Sequence, residues 1–217
     1  MNPEERVHRV YDSKSNSELA KRYQEWAKAY EQDMMQDFGY LSPVYVGEYV
    51  DKVVSTSANI LDAGSGTGLV GQLLYDRGYR RLVAMDLSEK MLARAQKKEI
   101  YTDLRQGILG QPLDFGTDEF DAVVSAGVFT LGHATASGLD ELIRVTKPGG
   151  HIIFTLHTDL YERGEFPDKL AALEAAGVWS LLEVSDKLQP TPVGEPVVTI
   201  RVLIYRVEEP SELRPTG

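Results

Sequence analysis

The stretch Ile60-Leu-Asp-Ala-Gly-Ser-Gly-Thr-Gly68 decides the fold of this chain. A β-prone run ends near Asp62, three glycines follow at alternate positions, and a helical pattern begins at Leu69. Because glycine has no side chain, the backbone of such a loop can approach a ligand closely at the N-terminus of the helix. The stretch therefore predicts a strand, a ligand-binding loop and a helix.

Beyond this loop, β-prone runs alternate with helical patterns, which is typical of βαβ units around a parallel sheet. The predicted strands cover 58–63, 81–86, 101–106, 120–125 and 150–157. The alternation ends in two further runs, Trp179 to Leu188 and Val197 to Val207, joined without a helix by the Pro- and Gly-containing loop Gln189 to Pro196. Two such strands pair antiparallel. The sequence therefore predicts a doubly wound α/β domain with a seven-stranded, mostly parallel sheet whose last strand is antiparallel.

Two helices are predicted before the sheet. Apolar and aromatic residues recur every three or four positions from Ser15 to about Met35, after a Ser15–Glu18 capping box. Gly39 ends this helix, and Ser42-Pro43 supplies the cap and first residue of a second helix that ends near Val54.

Length and composition favour one globular domain. Within the 217 residues, we predict N-terminal helices and a lid over 1–57, an α/β core over 58–207 and a tail over 208–217. The net charge of -10, without a basic stripe, disfavours nucleic acid as a partner. The absence of cysteine excludes disulfides and thiol chemistry. Without a secretory or membrane-spanning apolar run, we expect a cytoplasmic monomer or homodimer.

A rival interpretation of the glycine loop is a dinucleotide site. Gly66-Thr-Gly-Leu-Val-Gly71 satisfies G-x-G-x-x-G, which would indicate NAD. Counted from Gly64, the first glycine after the strand, the third glycine position holds Leu69 instead. A cofactor with a cationic amino-acid end also explains the additional acid Asp62 better than a pyrophosphate does.

A second acid supports a cofactor site. The run Leu82-Val-Ala-Met-Asp86-Leu-Ser88 ends a predicted strand with Asp86, 18 residues after Gly68. A carboxylate in that position can accept two hydrogen bonds from ribose hydroxyls. The other interpretation of Asp86 is a helix-capping acid, but Ser88 already offers a cap.

With these residues placed, the chain resembles the class I S-adenosylmethionine-dependent methyltransferases. The resemblance extends from Tyr23 to Val207 and implies a Rossmann-like fold and S-adenosylmethionine as cofactor. At a finer level, Tyr23-Gln-Glu-Trp-Ala-Lys-Ala-Tyr-Glu-Gln-Asp33 is similar to the Williams–Beuren syndrome chromosomal-region, or methyltransferase-like, family. Four motifs in order carry the broader match: Leu61 to Gly68, Val83 to Met91, Phe120 to Gly127 and Arg144 to Ile152.

The resemblance implies roles for the residues around the cofactor. Asp86 holds the ribose, Leu87 and Met91 pack near the adenine, and the amino-acid end lies against three glycines: Gly64, Gly66 and Gly68. Many relatives follow the third strand with Gly-Asp, but this chain has Gly107-Ile108. The adenine would then need backbone contacts from Ile108 or Leu109, while Ser125 would lie beneath the methionine portion.

The acceptor side has weaker signals. His133 follows the fourth strand and His157 closes the fifth, so both are candidate bases beside an acceptor, or structural hydrogen-bonding groups. Tyr23 and Tyr30 are predicted to contact the cofactor from the first helix, less so Trp26, although these rings would equally anchor the helix. Three further tyrosines are predicted to shape the acceptor pocket: Tyr11, Tyr40 and Tyr45.

The resulting functional hypothesis is methyl transfer to a small-molecule acceptor by direct displacement, with no metal site among the four histidines. A universal base is not required for this reaction. Three alternatives remain open: aminopropyl transfer from a decarboxylated cofactor, NAD-dependent redox chemistry, and a non-catalytic cofactor-binding regulator.

Overall fold

Successive residues of the first strand enter different hydrophobic clusters, one on each face of the sheet. Ile60 packs with Val50 and Leu74, whereas Leu61 packs with Leu139 and Phe154. Buried strands covered by helices on both faces carry the near-continuous apolar runs seen in this sequence. The alternation therefore places the sheet in the middle of a three-layer α/β domain.

The computed structural model describes residues 1–194 and 198–209. It contains strands β1 (Asn59–Ala63), β2 (Arg81–Asp86), β3 (Asp103–Gln106), β4 (Phe120–Phe129), β5 (Thr146–His157), β6 (Trp179–Val184) and β7 (Ile200–Val207). The sheet order is β3-β2-β1-β4-β5-β7-β6, and β7 runs antiparallel to both β5 and β6. The predicted fold class is confirmed.

The helices are α1 (Pro3–Tyr11), α2 (Asn16–Trp26), α3 (Tyr30–Gln32), α4 (Ser42–Val53), α5 (Leu69–Asp76), α6 (Glu89–Gln96), α7 (Gly138–Val145), α8 (Thr158–Glu162) and α9 (Glu165–Ala175). In the described part of the chain, no helix has the length and apolar character that crossing a membrane requires.

Several predicted boundaries were wrong. β4 continues beyond residue 125 to Phe129 through a register shift, and β5 begins at Thr146 instead of residue 150. β6 ends at Val184, and its partner strand starts at Ile200. The end of the predicted loop, the start predicted for the last strand at Val197, and tail residues 210–217 lie outside the described residues.

The N-terminal region departs most from prediction. The helix predicted from Ser15 to Met35 is interrupted after Trp26, and a π-helical turn follows α3 over Asp33–Asp37. We call residues 16–37 the lid. No proline or glycine signals the interruption; it occurs where the carboxylate of Asp33 turns inward and accepts a hydrogen bond from the Trp26 indole.

The predicted helix caps are only partly correct. Ser15 accepts from the Glu18 backbone N–H, but the Glu18 side chain accepts from Lys14 instead of closing the box on Ser15. Ser42 is the first helical residue of α4, not its cap, because Leu41 occupies that position. Helix α1 was missed, although Asn2 forms a complete capping box with Glu5.

Candidate cofactor and acceptor site

The glycine loop connects β1 to α5 with left-handed backbone at Gly64, Gly66 and Gly68, where φ is +80°, +54° and +85°. A Cβ on Gly64 would overlap Val128, whereas a Cβ on Gly66 would meet nothing within 4 Å. Gly64 N–H donates to the Met85 carbonyl over 2.7 Å, which ties the loop to the end of β2. The loop therefore requires glycine for its backbone and leaves open space at Gly66.

The same geometry settles which glycine opens the loop. β1 ends at Ala63, so Gly64 is the first loop residue and Leu69 occupies the third position of a dinucleotide pattern. Gly71 lies inside α5, and a Cβ there would overlap the ring of Tyr101. Packing against Tyr101 therefore accounts for the glycine at position 71, and binding of a dinucleotide is not needed to explain it.

Asp86 ends β2 directly beside this loop. Its Oδ2 accepts from the Gly66 N–H and its Oδ1 from the Ser88 N–H, both over 2.8 Å. Ser88 in turn caps α6 by accepting from the Met91 N–H. Burial raises the pKa of Asp86 to about 6. An ionised carboxylate has about four lone-pair sites, and the Leu87 N–H also interacts with it, so at least one site remains for a ligand.

A cavity of about 690 Å³ lies between this loop and the lid, and we call it the first cavity. Most of the predicted cofactor contacts lie along it, together with Met85, Gly107 and Ala126. The predicted residues are Tyr23, Tyr30, Gly64, Gly66, Asp86, Leu87, Met91, Ile108 and Leu109.

Three predicted cofactor residues lie outside the cavity lining. Ser125 is fully buried, and its hydroxyl donates to the Ala63 carbonyl over 2.8 Å, because β4 continues and turns Ala126 to Val128 toward the cavity. Asp62 is 1% exposed, and its Oδ2 accepts from the Tyr101 hydroxyl over 2.6 Å. Gly68 faces Tyr101 and Ala95. These positions support the loop from behind.

A second cavity of about 760 Å³ adjoins the first. It is covered by α1 and the lid, and its floor includes the ends of β4 and β5. Tyr11, Tyr40 and Trp26 line it. Tyr45 does not, since its hydroxyl donates to the Gln189 carbonyl over 3.2 Å. Four residues line both cavities, and we call them the shared wall: Tyr23, Tyr30, Gly127 and His133.

The two candidate bases differ in their hydrogen bonds. His157 lines the second cavity, and its Nδ1 accepts from the Asp159 N–H over 3.1 Å at the start of α8. Burial lowers the pKa of His157, so the neutral ring carries its proton on Nε2. Nε2 of His157 therefore carries a proton in place of a lone pair and is a hydrogen-bond donor. The prediction of a base is not supported at this position.

His133 in the shared wall has the opposite arrangement. Its Nδ1 lies 2.9 Å from the Leu131 carbonyl and its Nε2 lies 2.7 Å from the Tyr23 hydroxyl. A carbonyl only accepts, so Nδ1 carries a proton. Burial lowers the pKa of His133, which favours the neutral ring and leaves the Nε2 lone pair to accept from Tyr23.

A buried ion pair fastens the lid to α1. The Arg6 guanidinium donates to both oxygens of Asp33 over 2.6 and 2.9 Å, and Asp33 also accepts from the Trp26 indole over 2.6 Å. The Asp33 side chain is 4% exposed. Sequence reasoning missed Arg6 and Asp33, because neither lies in a recognisable motif.

The buried carboxyl of Asp62 predicts an unusual dependence of stability on pH. Burial raises its pKa to about 7, so the folded protein binds a proton that the unfolded chain releases near pH 4. The stabilisation that the protonated Asp62 carboxyl contributes is fully present below about pH 4 and is lost as the pH rises through about 7. The quantity to compare is the free energy of unfolding of Asp62→Asn minus that of the unsubstituted protein. We expect this difference to be larger at pH 8 than at pH 5, by on the order of 1–3 kcal/mol.

Urea unfolding of both proteins at the two pH values measures this difference. The histidines, whose lowered pKa values act in the opposite direction as the pH falls, contribute equally to both proteins and cancel. Asparagine retains an oxygen that can accept from Tyr101. An equal stability difference at pH 5 and pH 8 would show that Asp62 titrates normally.

The structure has the features of a Rossmann-like methyltransferase fold: the order of the strands in the sheet, the glycine loop after β1 and the acid at the end of β2. A family profile described as a methyltransferase domain matches residues 61–154. Human methyltransferase-like protein 27 is 35% identical over 164 residues, covering 72% of this chain and 66% of that protein. The chain belongs to the class I S-adenosylmethionine-dependent methyltransferases, and the expected similarity to methyltransferase-like proteins is confirmed.

Two other similar proteins show how varied this fold is. The 18S rRNA (guanine(1575)-N(7))-methyltransferase of Saccharomyces cerevisiae is 32% identical over 49% of this chain and 38% of that one. A crystal structure of the [4+2]-cyclase SpnF superposes with a TM-score of 0.70 at 13% identity, over 91% of this chain and 98% of that one. This chain spans about two thirds of the human relative and 38% of the yeast one.

The residues present fit S-adenosylmethionine, the cofactor of this family. Buried side-chain atoms without a hydrogen-bond partner include Ser65 Oγ and Thr67 Oγ1 of the loop itself and Asp62 Oδ1 at its base. Buried polar groups are normally paired, and because none of these three residues lines the first cavity, ordered water beneath the loop would be the partner of these atoms. Open space at Gly66 and the remaining lone-pair site of Asp86 indicate where a ligand would lie.

Proposed function

We propose that this protein transfers a methyl group from S-adenosylmethionine to a small molecule held in the second cavity. The observation that carries the proposal is the shared wall, where a cofactor cavity and a separate covered cavity meet at Tyr23, Tyr30, Gly127 and His133. The two reactants of a direct displacement must approach each other without water between them. A covered second cavity suits a small acceptor better than the surface of a macromolecule.

The first cavity supplies the binding groups for the cofactor. Asp86 would accept hydrogen bonds from the ribose hydroxyls, Gly66 would let the backbone approach the amino-acid end, and Leu87, Met91 and Ile108 would enclose the adenine. When bound, the cofactor supplies a methyl carbon activated by a positive sulfur. The chain itself contributes alignment and exclusion of water, and positioning alone can contribute about 7–11 kcal/mol.

The proposal is tested with S-adenosylmethionine carrying a labelled methyl group. A low-molecular-mass cell extract, total RNA and total protein are offered separately as acceptors. We expect labelled product in the small-molecule sample only. Labelling of RNA or protein alone would contradict a small acceptor, and absence of label with intact cofactor binding would favour the non-catalytic alternative. Reaction with the decarboxylated cofactor alone would favour aminopropyl transfer.

A matched pair of glycine variants tests where the cofactor lies. Gly66 and Gly149 both have positive φ, and a Cβ would meet nothing within 4 Å at either, but only Gly66 lines the first cavity. We expect Gly66→Ala to lower methyl transfer about tenfold, because an added methyl group in an occupied site costs roughly 1–3 kcal/mol. Gly149→Ala also places an alanine at positive φ, and we expect it to retain activity. Equal losses in both variants would assign the effect to strain.

A further inference from the structure

The shared wall contains a hydrogen-bonded chain that leads away from the cavities. The Tyr23 hydroxyl lies 2.7 Å from His133 Nε2, and His133 Nδ1 lies 2.9 Å from the Leu131 carbonyl. The ring of Tyr11 packs edge-on against His133, with centroids 5.7 Å apart. His133 therefore contacts α1 through Tyr11 and α2 through Tyr23.

The direction of these hydrogen bonds decides what the pair can do. Because Leu131 accepts from Nδ1, the free lone pair of the neutral ring is on Nε2 and faces Tyr23. Tyr23 therefore donates its proton to His133, and its oxygen keeps lone pairs that can accept a proton from a third group. Tyr23 lines both cavities, so that third group is a ligand at their junction.

The second cavity also limits the charge of its occupant. Among the described residues, its lining includes no Asp, Glu, Lys or Arg. The polar lining side chains are hydroxyls and imidazoles, and the others are aromatic or aliphatic. The lining residues that the structure describes therefore offer an anionic acceptor such as a carboxylate no cationic partner, and only the positive sulfur of the cofactor would offset the cost of burying its charge. The lining therefore favours an uncharged acceptor with an apolar body.

We propose that Tyr23 and His133 together accept the proton of an uncharged hydroxyl acceptor, of the phenol class, bound in the second cavity. This inference rests on the proposed methyl transfer. It assigns Tyr23 as the group that contacts the acceptor oxygen and His133 as the final proton acceptor. A neutral hydroxyl needs such a base, whereas an acceptor that is already ionised does not.

Two proton transfers accompany the transfer of the methyl group. The acceptor oxygen forms its bond to the methyl carbon, and the electron pair of the carbon–sulfur bond stays on sulfur. The acceptor proton passes to the Tyr23 oxygen while the Tyr23 proton passes to His133 Nε2. His133 becomes an imidazolium, stabilised by the Leu131 carbonyl, and later releases its proton to water.

Substituted phenols of similar size but different acidity provide the test. We expect Tyr23→Phe to lower kcat about 100-fold with a phenol that is neutral at the assay pH, in line with general-base catalysis. With a nitrophenol that is already ionised, kcat stays near that of the unsubstituted protein. His133→Gln shows the same selective loss, because its amide oxygen can accept from Tyr23 but cannot take the proton.

Tyr45→Phe is the matched control, since it removes a tyrosine hydroxyl that donates to the Gln189 carbonyl and lies outside both cavities. In this variant, we expect kcat to depend on the acidity of the phenol in the same way as in the unsubstituted protein. A loss in Tyr23→Phe that is equal for neutral and ionised phenols would overturn the inference, as would methylation of matched amines or carboxylates but not phenols. Failure to methylate any phenol while S-adenosylhomocysteine still binds also overturns it.

A second measurement is independent of turnover. Nitrogen-15 NMR of the imidazoles, with His133→Gln used to assign the signal, reports which ring nitrogen is protonated. We expect a neutral His133 with its proton on Nδ1 at pH 7.5. A proton on Nε2 would overturn the relay even if the protein is a methyltransferase, whereas no binding of S-adenosylhomocysteine would contradict the proposed function itself.

Discussion

Replacing Asp86 with alanine is expected to weaken binding of S-adenosylhomocysteine by about 10- to 150-fold. This range corresponds to the roughly 1.5–3 kcal/mol of hydrogen bonds to a charged group. The carboxylate lies in the first cavity with both oxygens fixed by backbone N–H groups of Gly66 and Ser88. Its position is therefore set before a ligand arrives, so little ordering opposes the interaction.

The same two bonds make the choice of variants important. Alanine leaves the Gly66 and Ser88 N–H groups without their acceptor, so some of its effect comes from a disturbed loop. The substitution Asp86→Asn keeps one oxygen for these donors but loses the charge, and we expect an intermediate loss of affinity. Isothermal titration calorimetry of both variants, alongside their unfolding curves, separates the ligand contact from the loop.

Asp121 provides the matched control for Asp86. Its carboxylate also accepts a backbone N–H from a neighbouring strand, that of Asn59 over 2.7 Å, but it lies outside both cavities. Asp121→Ala is expected to lower stability without weakening S-adenosylhomocysteine binding. Unchanged affinity in Asp86→Ala, or an equal loss in Asp121→Ala, would remove the ribose assignment.

Loss of Asp33 is expected to have the largest effect on stability. Asp33→Ala leaves the Arg6 guanidinium and the Trp26 indole without their acceptor beneath the lid. Removing one partner of a buried ion pair costs about 3–5 kcal/mol, and the 20% exposure of Arg6 places the expected loss near the lower end, about 3 kcal/mol. Urea unfolding measures this loss as a fall in the transition midpoint.

The chain offers an exposed ion pair between α1 and the lid as a comparison. Arg9 and Glu25 lie 3.1 Å apart with both side chains more than 40% exposed. Glu25→Ala is therefore expected to cost at most about 1 kcal/mol. If Asp33→Ala and Glu25→Ala destabilise the protein equally, the Asp33 cluster does not fasten the lid.

Much of the cofactor half of the site was predictable because short local signals specify it. The strand boundary at Ala63, the glycines and Asp86 lie within one βαβ unit, so sequence order alone brings them together. The position of Ser125 outside the cavity lining was not predictable, because β4 contains a register shift that no sequence pattern marks. The position of Asp62 was not predictable either, because its partner, Tyr101, is 39 residues away and lies in no motif.

The acceptor half depends on contacts that sequence periodicity cannot supply. Tyr23 and His133 are 110 residues apart, and only the folded chain shows that they share a hydrogen bond. The interruption of the predicted first helix likewise follows from Arg6, Trp26 and Asp33 meeting in three dimensions. Sequence analysis therefore predicted the binding loop, whereas the structure reveals the shared wall.

Calorimetric titration of the purified protein with S-adenosylhomocysteine, with NAD⁺ as the comparison, tests which cofactor the glycine loop binds. We expect S-adenosylhomocysteine to bind at one site per chain and NAD⁺ to give no binding heat, since Leu69 stands where a dinucleotide loop has its third glycine. Binding of NAD⁺ would contradict the assignment of the loop to S-adenosylmethionine. The absence of any binding heat at high concentrations of S-adenosylhomocysteine would contradict it as well.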